Sequence, residues 1–430
     1  MTTRARGAGG LAASLYRSRD GLGVWEHRGK VAVMSIGFSP VDRRWDESLE
    51  HSLGAYSIIA AKNALADAGV GPDQVDGVLA APGPLGARWD RAYFDPPYNS
   101  EDGISLVTAE WLTRNMGLKN VKFMNSEAGD SARVLGLAAQ AIGNGLCHTA
   151  LVLYPTGNLA GRYRHEPELY AKGNAQWVNP WAWTGIQSSA YRFSQYCLKY
   201  GTNHDRMAPF VVNLRRNGRM FPNGYYAQHP EAPLTEEDYL TSRWVCEPLC
   251  LHDADRPVNT ATCFLMTTAE RARDMKLPPV YVLNHNNNSF RIRSSVETLE
   301  EAEQFCEVHA RRLYEGSGLT PGDVDVFNPY DGYTLFTQNY LEAFRWQGVG
   351  KGEAHDFYAG DISVEGPHPI LSSGGNNGTG RTRCAIFADC IEQLQGRAGE
   401  RQVHIKAETA VAGCVLPAGC GWLAFGKSPD

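Results

Sequence analysis

The sequence has little that would draw it to a polyanion or a bilayer. Its 430 residues carry 41 Lys and Arg against 47 Asp and Glu, a formal net charge of −6, so no basic field attracts a nucleic-acid backbone. Apolar runs are interrupted well short of the roughly 18 residues that a membrane-spanning helix needs. The first 29 residues contain Asp20 and Glu26 and lack the apolar centre of a secretory signal. Paired CxxC motifs are also missing: Cys246 and Cys250 stand four apart and Cys414 and Cys420 six apart, with no companion pair. Neither a zinc site nor a disulfide framework is therefore expected, and a reduced cytoplasmic protein with buried thiols is. A content of 43% hydrophobic and 20% charged residues excludes a disordered chain.

The length exceeds the roughly 250 to 300 residues at which one core stops growing, so two domains or fused halves are expected. Residues 1–29, rich in Arg and Gly, read as an extension that packs on a neighbour or partner, or trails as a free tail. Lys30 to Phe38 reads as a buried strand, and a helical stretch runs from about Ser48 to Ala68 until Gly69 stops it. GVGPDQVDGVLAAPG follows, and its pattern recurs as GLTPGDVDVFNPYDG after a second helix over 299–315. Pro72 aligns with Pro321, Val75 with Val324 and Asp76 with Asp325 without a gap. A repeat of that length is too long for a solenoid and implies a duplicated α/β domain, one half over 30–270 and the other over 271–430. Within the first half, 157–255 reads as a long loop insertion rich in Trp, Tyr, Asn and Pro, suited to covering a substrate or meeting a subunit.

Four segments together carry a family resemblance: ALADAGVGPDQVDGVL, SRWVCEPLCLHDADRPVNTATCFLMTTAERARDM, NPYDGYTLFTQNYLEAF and SSGGNNGTGRTRCAIFADCIEQLQGRAGERQV. From about Lys30 to Lys427 the chain resembles the thiolase superfamily. Within it, the resemblance is to the lipid-transfer-protein-type branch, which includes sterol-carrier-protein thiolases and steroid side-chain acyl-CoA retro-aldolases. It implies a duplicated thiolase fold, two βαβαβ-type halves in five layers α-β-α-β-α. It also implies that Ala128, followed by Gly129, stands at the nucleophilic cysteine's position. The branch's His-Asp-Cys-Phe motif reads Tyr330-Asp331-Gly332-Tyr333, and the histidine of Gly-Gly-x-x-x-x-Gly-His-Pro reads Arg381. Cys414 stands near the place of a further family cysteine.

Thiolase chemistry needs an acylated nucleophile and a base, and alanine cannot be acylated. Retro-aldol cleavage needs no nucleophile: a base takes the β-hydroxyl proton, the Cα–Cβ bond breaks, and an oxyanion site holds the thioester enolate. The resemblance puts the catalytic role on Tyr330, as base or as the group that orients the hydroxyl, with Asp331 beside it and Arg381 supplying positive charge. Gly374, Gly375 and Asn376 would bring N–H donors to the thioester from one wall, Ala128 and Gly129 from the other. Tyr333 and His368 are possible substitutes for a second tyrosine found in some relatives. Tyr333, three residues along an expected strand, would face away from Tyr330. Arg215, Arg216 and Arg219 form a basic cluster suited to CoA phosphates. The favoured expectation is a carbon–carbon lyase on a bulky β-hydroxyacyl-CoA, with CoA as part of the substrate and no resident cofactor. Alternatives are an acyltransferase using Cys414 and a non-catalytic acyl-CoA-binding subunit. The resemblance further implies a homodimer and a small OB-fold zinc-ribbon partner.

Overall fold

VAVMSIGF is buried along nearly its whole length, the pattern of a strand covered on both faces, and forms β1 (Val31–Phe38). Ser52 then caps α1 (Leu53–Ala68): its hydroxyl accepts from the Ala55 N–H, so the helix begins there rather than at Ser48. Gly69, at φ 69°, closes it in the left-handed conformation. The computed structural model describes residues 23–81, 103–104, 106–126, 129–157, 185–290, 292 and 297–430. Continuing the first half are β2 (Gly77–Ala80), α2 (Ala109–Met116), β3 (Phe123–Asn125), α3 (Ser131–Gly143) and β4 (Thr149–Thr156).

The expected loop insertion is largely helical where it is described. It contains α4 (Gly185–Tyr200), α5 (Ala208–Arg219), the short α6 (Tyr225–Gln228) and α7 (Glu236–Leu240), and a hairpin of β5 (Trp244–Cys246) and β6 (Leu249–Cys250). The reason is periodicity hidden among polar and aromatic residues. Ile186, Ala190, Phe193 and Tyr196 bury one face of α4, and Phe210, Val211 and Leu214 one face of α5. Most of the Trp-rich stretch, residues 158–184, lies outside the described residues.

β7 (Thr260–Thr268) completes the first half. The second comprises β8 (Val280–Asn287), α8 (Leu299–Ser317), β9 (Val326–Asn328), α9 (Leu335–Phe344), α10 (Gly375–Thr379), α11 (Ala385–Gln395), β10 (Thr409–Cys414) and β11 (Gly421–Gly426). Strand order is β3-β2-β4-β7-β1-β8-β11-β10-β9. Read from the β1–β8 seam outward, both sides repeat one pattern: an antiparallel neighbour, a second antiparallel neighbour, then a parallel one. The second parallel step, β2 to β3, has as its counterpart a parallel bridge between Phe327 and Ile370. Helix α3 packs on β4 and β7 of one side and on β8 and β11 of the other. With α11 it forms the middle layer, while α1 and α8 cover the outer faces. This is the five-layer arrangement.

The duplicated aspartates explain part of the repeat's sequence. Asp76 accepts from the N–H groups of His148 and Thr149 at 2.8 Å, fixing the start of β4. Asp325 accepts from Glu408 and Thr409 at 2.8 and 3.1 Å, fixing the start of β10. The extension ends against its own chain: Trp25 is buried, with its N–H bonded to Gly316 O and its indole to Gln140 Oε1. Residues 1–22 lie outside the described residues.

Candidate active site

The parallel strands β9 and β10 end on one side of the sheet, where ligands of α/β folds gather. Beyond β9 the chain turns through Tyr330–Tyr333, and beyond Leu371 it enters the glycine segment leading to α10. Gly374 and Gly375 take φ 84° and 61°, and α5 crosses so closely that a Cβ on Gly218 would fall 1.9 Å from Gly378 O. The expectation that this segment offers its N–H groups to a thioester is overturned. Gly374 donates to Leu371 O at 2.7 Å and Gly375 to Ser373 Oγ at 3.0 Å; Asn376 and Asn377 donate to the two Asp331 oxygens at 2.7 and 2.9 Å. The segment is a helix start, its first N–H groups need acceptors, and the buried Asp331 supplies them. Burial pushes the Asp331 carboxyl up to about 6 while those donors pull it down. Asp331 thus clamps α10, and its acceptor oxygens face inward.

Tyr330 is buried and its hydroxyl packs over Gly332, where a Cβ would fall 2.0 Å from it. Burial pushes its phenol well above 10, against the pull of the Arg383 guanidinium. A phenolate base is disfavoured there, and the neutral hydroxyl remains a donor. Tyr333 does not sit on a strand: β9 stops at Asn328, the alternation ends with it, and Tyr333 instead bridges to Ala254.

The buried cation nearest Tyr330 is Arg383, two residues past the expected Arg381. Its guanidinium lies 5.9 Å from the Tyr330 ring centroid. Its N–H donates to Asn376 Oδ1 at 2.8 Å and its carbonyl accepts from Ser131 Oγ at 3.0 Å, fixing a residue held at φ 58°. Nε and Nη1 are buried without a hydrogen-bond partner among the described residues. Tyr330, Tyr154, Cys414 and Asp255 surround this charge. Burial pushes the Cys414 thiol up to about 12, against Arg383 and with Asp130 adding to the rise. Cys414 is therefore a thiol at neutral pH, a poor nucleophile. Burial also pushes the Asp255 carboxyl up to about 7, against Arg381 and Arg383 and with Asp331 adding to the rise. Arg381 anchors through its N–H to Arg256 O at 2.8 Å. Ala128 lies outside the described residues; Gly129 precedes Asp130, the N-cap of α3.

A cavity of about 580 Å³ opens beside this cluster, its wall including Tyr333, Asp255, His252, Arg215, Tyr226 and Val245. The three-arginine cluster divides. Arg215 lines the cavity and stacks 3.8 Å over Tyr226, Arg216 pairs with Glu365, and Arg219 bonds Glu231 O. Arg216 points about 100° away from Arg215 and is held by Glu365, while Arg219, one turn on and on the face of Arg215, is engaged by Glu231 O. His368 is exposed beside Phe357 and does not join the site. Asp253 accepts from Tyr239 OH, Thr334 Oγ1 and Cys250 N at 2.7 to 2.8 Å and is bonded to His204 Nε2 at 2.8 Å. This network pins Thr334, hence Tyr333, to the helices of the insertion. His204 and Asp253 are thus engaged through their side chains, and Cys250 enters the network through its backbone N–H. The sequence missed Asp255 and Arg383; the available signal was two charges in runs, LHDADRPVN and GTGRTRCAIF, that border buried segments.

A protein-family model described as "Thiolase C-terminal domain-like" matches residues 293–416. The chain is 27% identical over 406 residues to the 17-hydroxy-3-oxo-4-pregnene-20-carboxyl-CoA lyase of Mycobacterium tuberculosis, covering 89% of this chain and 97% of that one. It is 26% identical over 377 residues to the steroid side-chain-cleaving aldolase of Thermomonospora curvata, covering 81% and 86%. Among solved structures, one titled "Ltp2-ChsH2(DUF35) aldolase" superposes with a TM-score of 0.75 at 22% identity, over 93% of this chain and 98% of that chain.

Proposed function

Because this chain is a thiolase-like protein of the sterol-carrier-protein thiolase type, we propose that it is a carbon–carbon lyase. It splits a bulky β-hydroxyacyl-CoA, steroid or aromatic, into a ketone or aldehyde and a shorter acyl-CoA. The carrying observation is the chemistry gathered around Arg383. The cysteine there is held as a thiol, while a buried cation, a neutral phenol and a carboxyl poised near neutrality stand within one cluster. That set favours proton transfer and oxyanion stabilisation over acyl transfer. Two relatives aligned over most of their length are named as a lyase and an aldolase, which supports the same reading.

In this reading CoA enters as part of the substrate and Arg215 meets an anionic part of it, whereas Arg216 and Arg219 serve structure. Tyr330 orients the β-hydroxyl as a donor. The protein is proposed to work in the cytoplasm as a homodimer with a small OB-fold zinc-ribbon partner. A solved structure of this fold carries two component names in its title, in keeping with that proposal. Among the described residues, no helix is long and apolar enough to cross a membrane.

The test is to incubate the protein, alone and with its candidate partner, with β-hydroxyacyl-CoA and with β-ketoacyl-CoA plus free CoA, and to identify products by mass spectrometry. A carbonyl product and a shorter acyl-CoA without added CoA are expected. CoA-dependent cleavage of the ketoacyl substrate alone would replace this reading with acyl transfer, and turnover of neither would leave a binding subunit.

A further inference from the structure

Resting on the lyase reading, the geometry points to Asp255 as the base that takes the β-hydroxyl proton and to Arg383 as the group that holds the thioester enolate oxygen. The glycine segment cannot hold that oxygen through the N–H groups of Gly374, Gly375, Asn376 and Asn377, because each already has an acceptor inside the protein. Asp331 cannot serve as the base while clamping α10 through both of its oxygens.

What remains is a carboxyl on the cavity wall and a guanidinium behind it. Asp255 lines the cavity with Tyr333 while remaining 4% exposed, and its N–H is bonded to Gly332 O at 3.0 Å, in the turn that carries Tyr330. Arg383 is 3% exposed, and two of its guanidinium nitrogens have no hydrogen-bond partner among the described residues. Burying such N–H groups without an acceptor is unfavourable. An arriving oxyanion recovers that cost, and a guanidinium binds it with charge-assisted hydrogen bonds.

The step balances within the substrate. The Asp255 carboxylate removes the β-hydroxyl proton, the C–O bond becomes C=O, and the Cα–Cβ bond breaks. Its electron pair passes into the thioester, giving an enolate whose oxygen lies against Arg383. The proton on Asp255 then returns to Cα, releasing the shorter acyl-CoA with no net change in protons or electrons. The groups around Asp255 are Arg381, Arg383 and Asp331 on the interior side, and His252, Arg256, Arg215, Glu231 and Tyr333 on the cavity side. Its carboxyl, raised by burial to about 7, is ionised above that pH, so turnover should climb through a limb centred near pH 7.

The experiment uses the full chain with 2-(1-hydroxycyclopentyl)propanoyl-CoA, in which the cyclopentanol carbon is the β-carbon attached to Cα, so that Cα–Cβ cleavage would give cyclopentanone and propanoyl-CoA. A straight-chain β-hydroxyacyl-CoA is run beside it. Wild type, Asp255→Asn, Asp255→Glu and Arg383→Met are compared across pH, with circular dichroism checking the fold. Asp255→Asn and Arg383→Met are each expected to lower kcat about 100-fold or more, with KM within about threefold. Asp255→Asn should also lose the rising limb, which a structural role would not remove, and Asp255→Glu should keep it at reduced kcat. Wild-type cleavage with Asp255→Asn retaining more than about a tenth of kcat and its limb would overturn the assignment while the lyase reading stands. Should Asp255→Asn fail to fold, a wild-type profile flat through pH 7 overturns the assignment by itself. No carbonyl product from wild type on either substrate would defeat the lyase reading and this inference with it.

Discussion

A thiol and a phenol at the same buried charge make different predictions. Cys414 is a protonated thiol in a dry site, so Cys414→Ala should leave lyase turnover within about twofold of wild type, since the proposed route uses no nucleophile. Loss of nearly all activity in that variant would instead favour acyl transfer. Tyr330 is treated as a neutral donor to the β-hydroxyl, and Tyr330→Phe should lower kcat by about 10- to 100-fold with KM nearly unchanged. Unchanged turnover would remove Tyr330 from the reaction. The sequence brought Tyr330, Asp331, Cys414 and the glycine segment to attention through short motifs. It could not reveal that Asp331 spends its oxygens on α10, because a motif names a residue and not its hydrogen-bond partners. Arg383 escaped for the related reason that Arg381 occupied the motif position. Which of two arginines turns inward is set by the positive φ at residue 383 and the Asn376 bond.

Between elements, the repeat was readable because its punctuation is physical. Pro72 and Pro321 each open a short turn, and Asp76 and Asp325 each tie the next parallel strand by two N–H groups. Burial alone would raise the Asp76 carboxyl, but the N–H groups of Thr149 and His148 outweigh it, and it lies below 3.8. A depressed carboxyl stabilises the fold above its unfolded value and loses that contribution as pH falls through the folded one. Melting of Asp76→Asn against wild type should therefore show a gap near neutrality that narrows as pH falls below about 4; a gap constant to pH 2 would contradict the assigned bonds. The insertion was harder to read, since its Trp, Tyr, Gly and Pro content resembles loop chemistry while α4 and α5 are specified by sparse apolar spacing. Its closest contact is the crossing of α5 over α10. Gly218→Ala places a methyl on backbone that cannot yield, and should cost about 1 to 3 kcal/mol, read as a melting temperature lower by several degrees.

Over the whole molecule, duplication creates the seam at β1 and β8 and leaves α3 packed against both halves of the nine-stranded sheet, with α11 on the second half. Residues from both halves and from the insertion, Ser131, Asp255 and Arg383 among them, thereby meet at one place. Burial holds carboxyls high there, Asp255 at about 7 and Asp331 at about 6, and does the same to Glu342, at about 7, which lies apart from them on α9 beside Tyr196. A raised carboxyl favours the fold below its unfolded value and withdraws that support as pH climbs toward the folded one. Stability to urea should accordingly decline from about pH 5 to pH 7.5, and Glu342→Gln should flatten part of that decline. An unchanged slope in the variant would exclude Glu342 as a source.

The central claim is that a thiolase-like scaffold here moves protons without acylating itself. The most direct measurement is product analysis on a β-hydroxyacyl-CoA with free CoA omitted. A carbonyl compound and a shorter acyl-CoA in equal amounts, formed by wild type and by Cys414→Ala alike, is the predicted result. An absolute requirement for free CoA, or a covalent acyl group found on the protein by mass spectrometry, would contradict it.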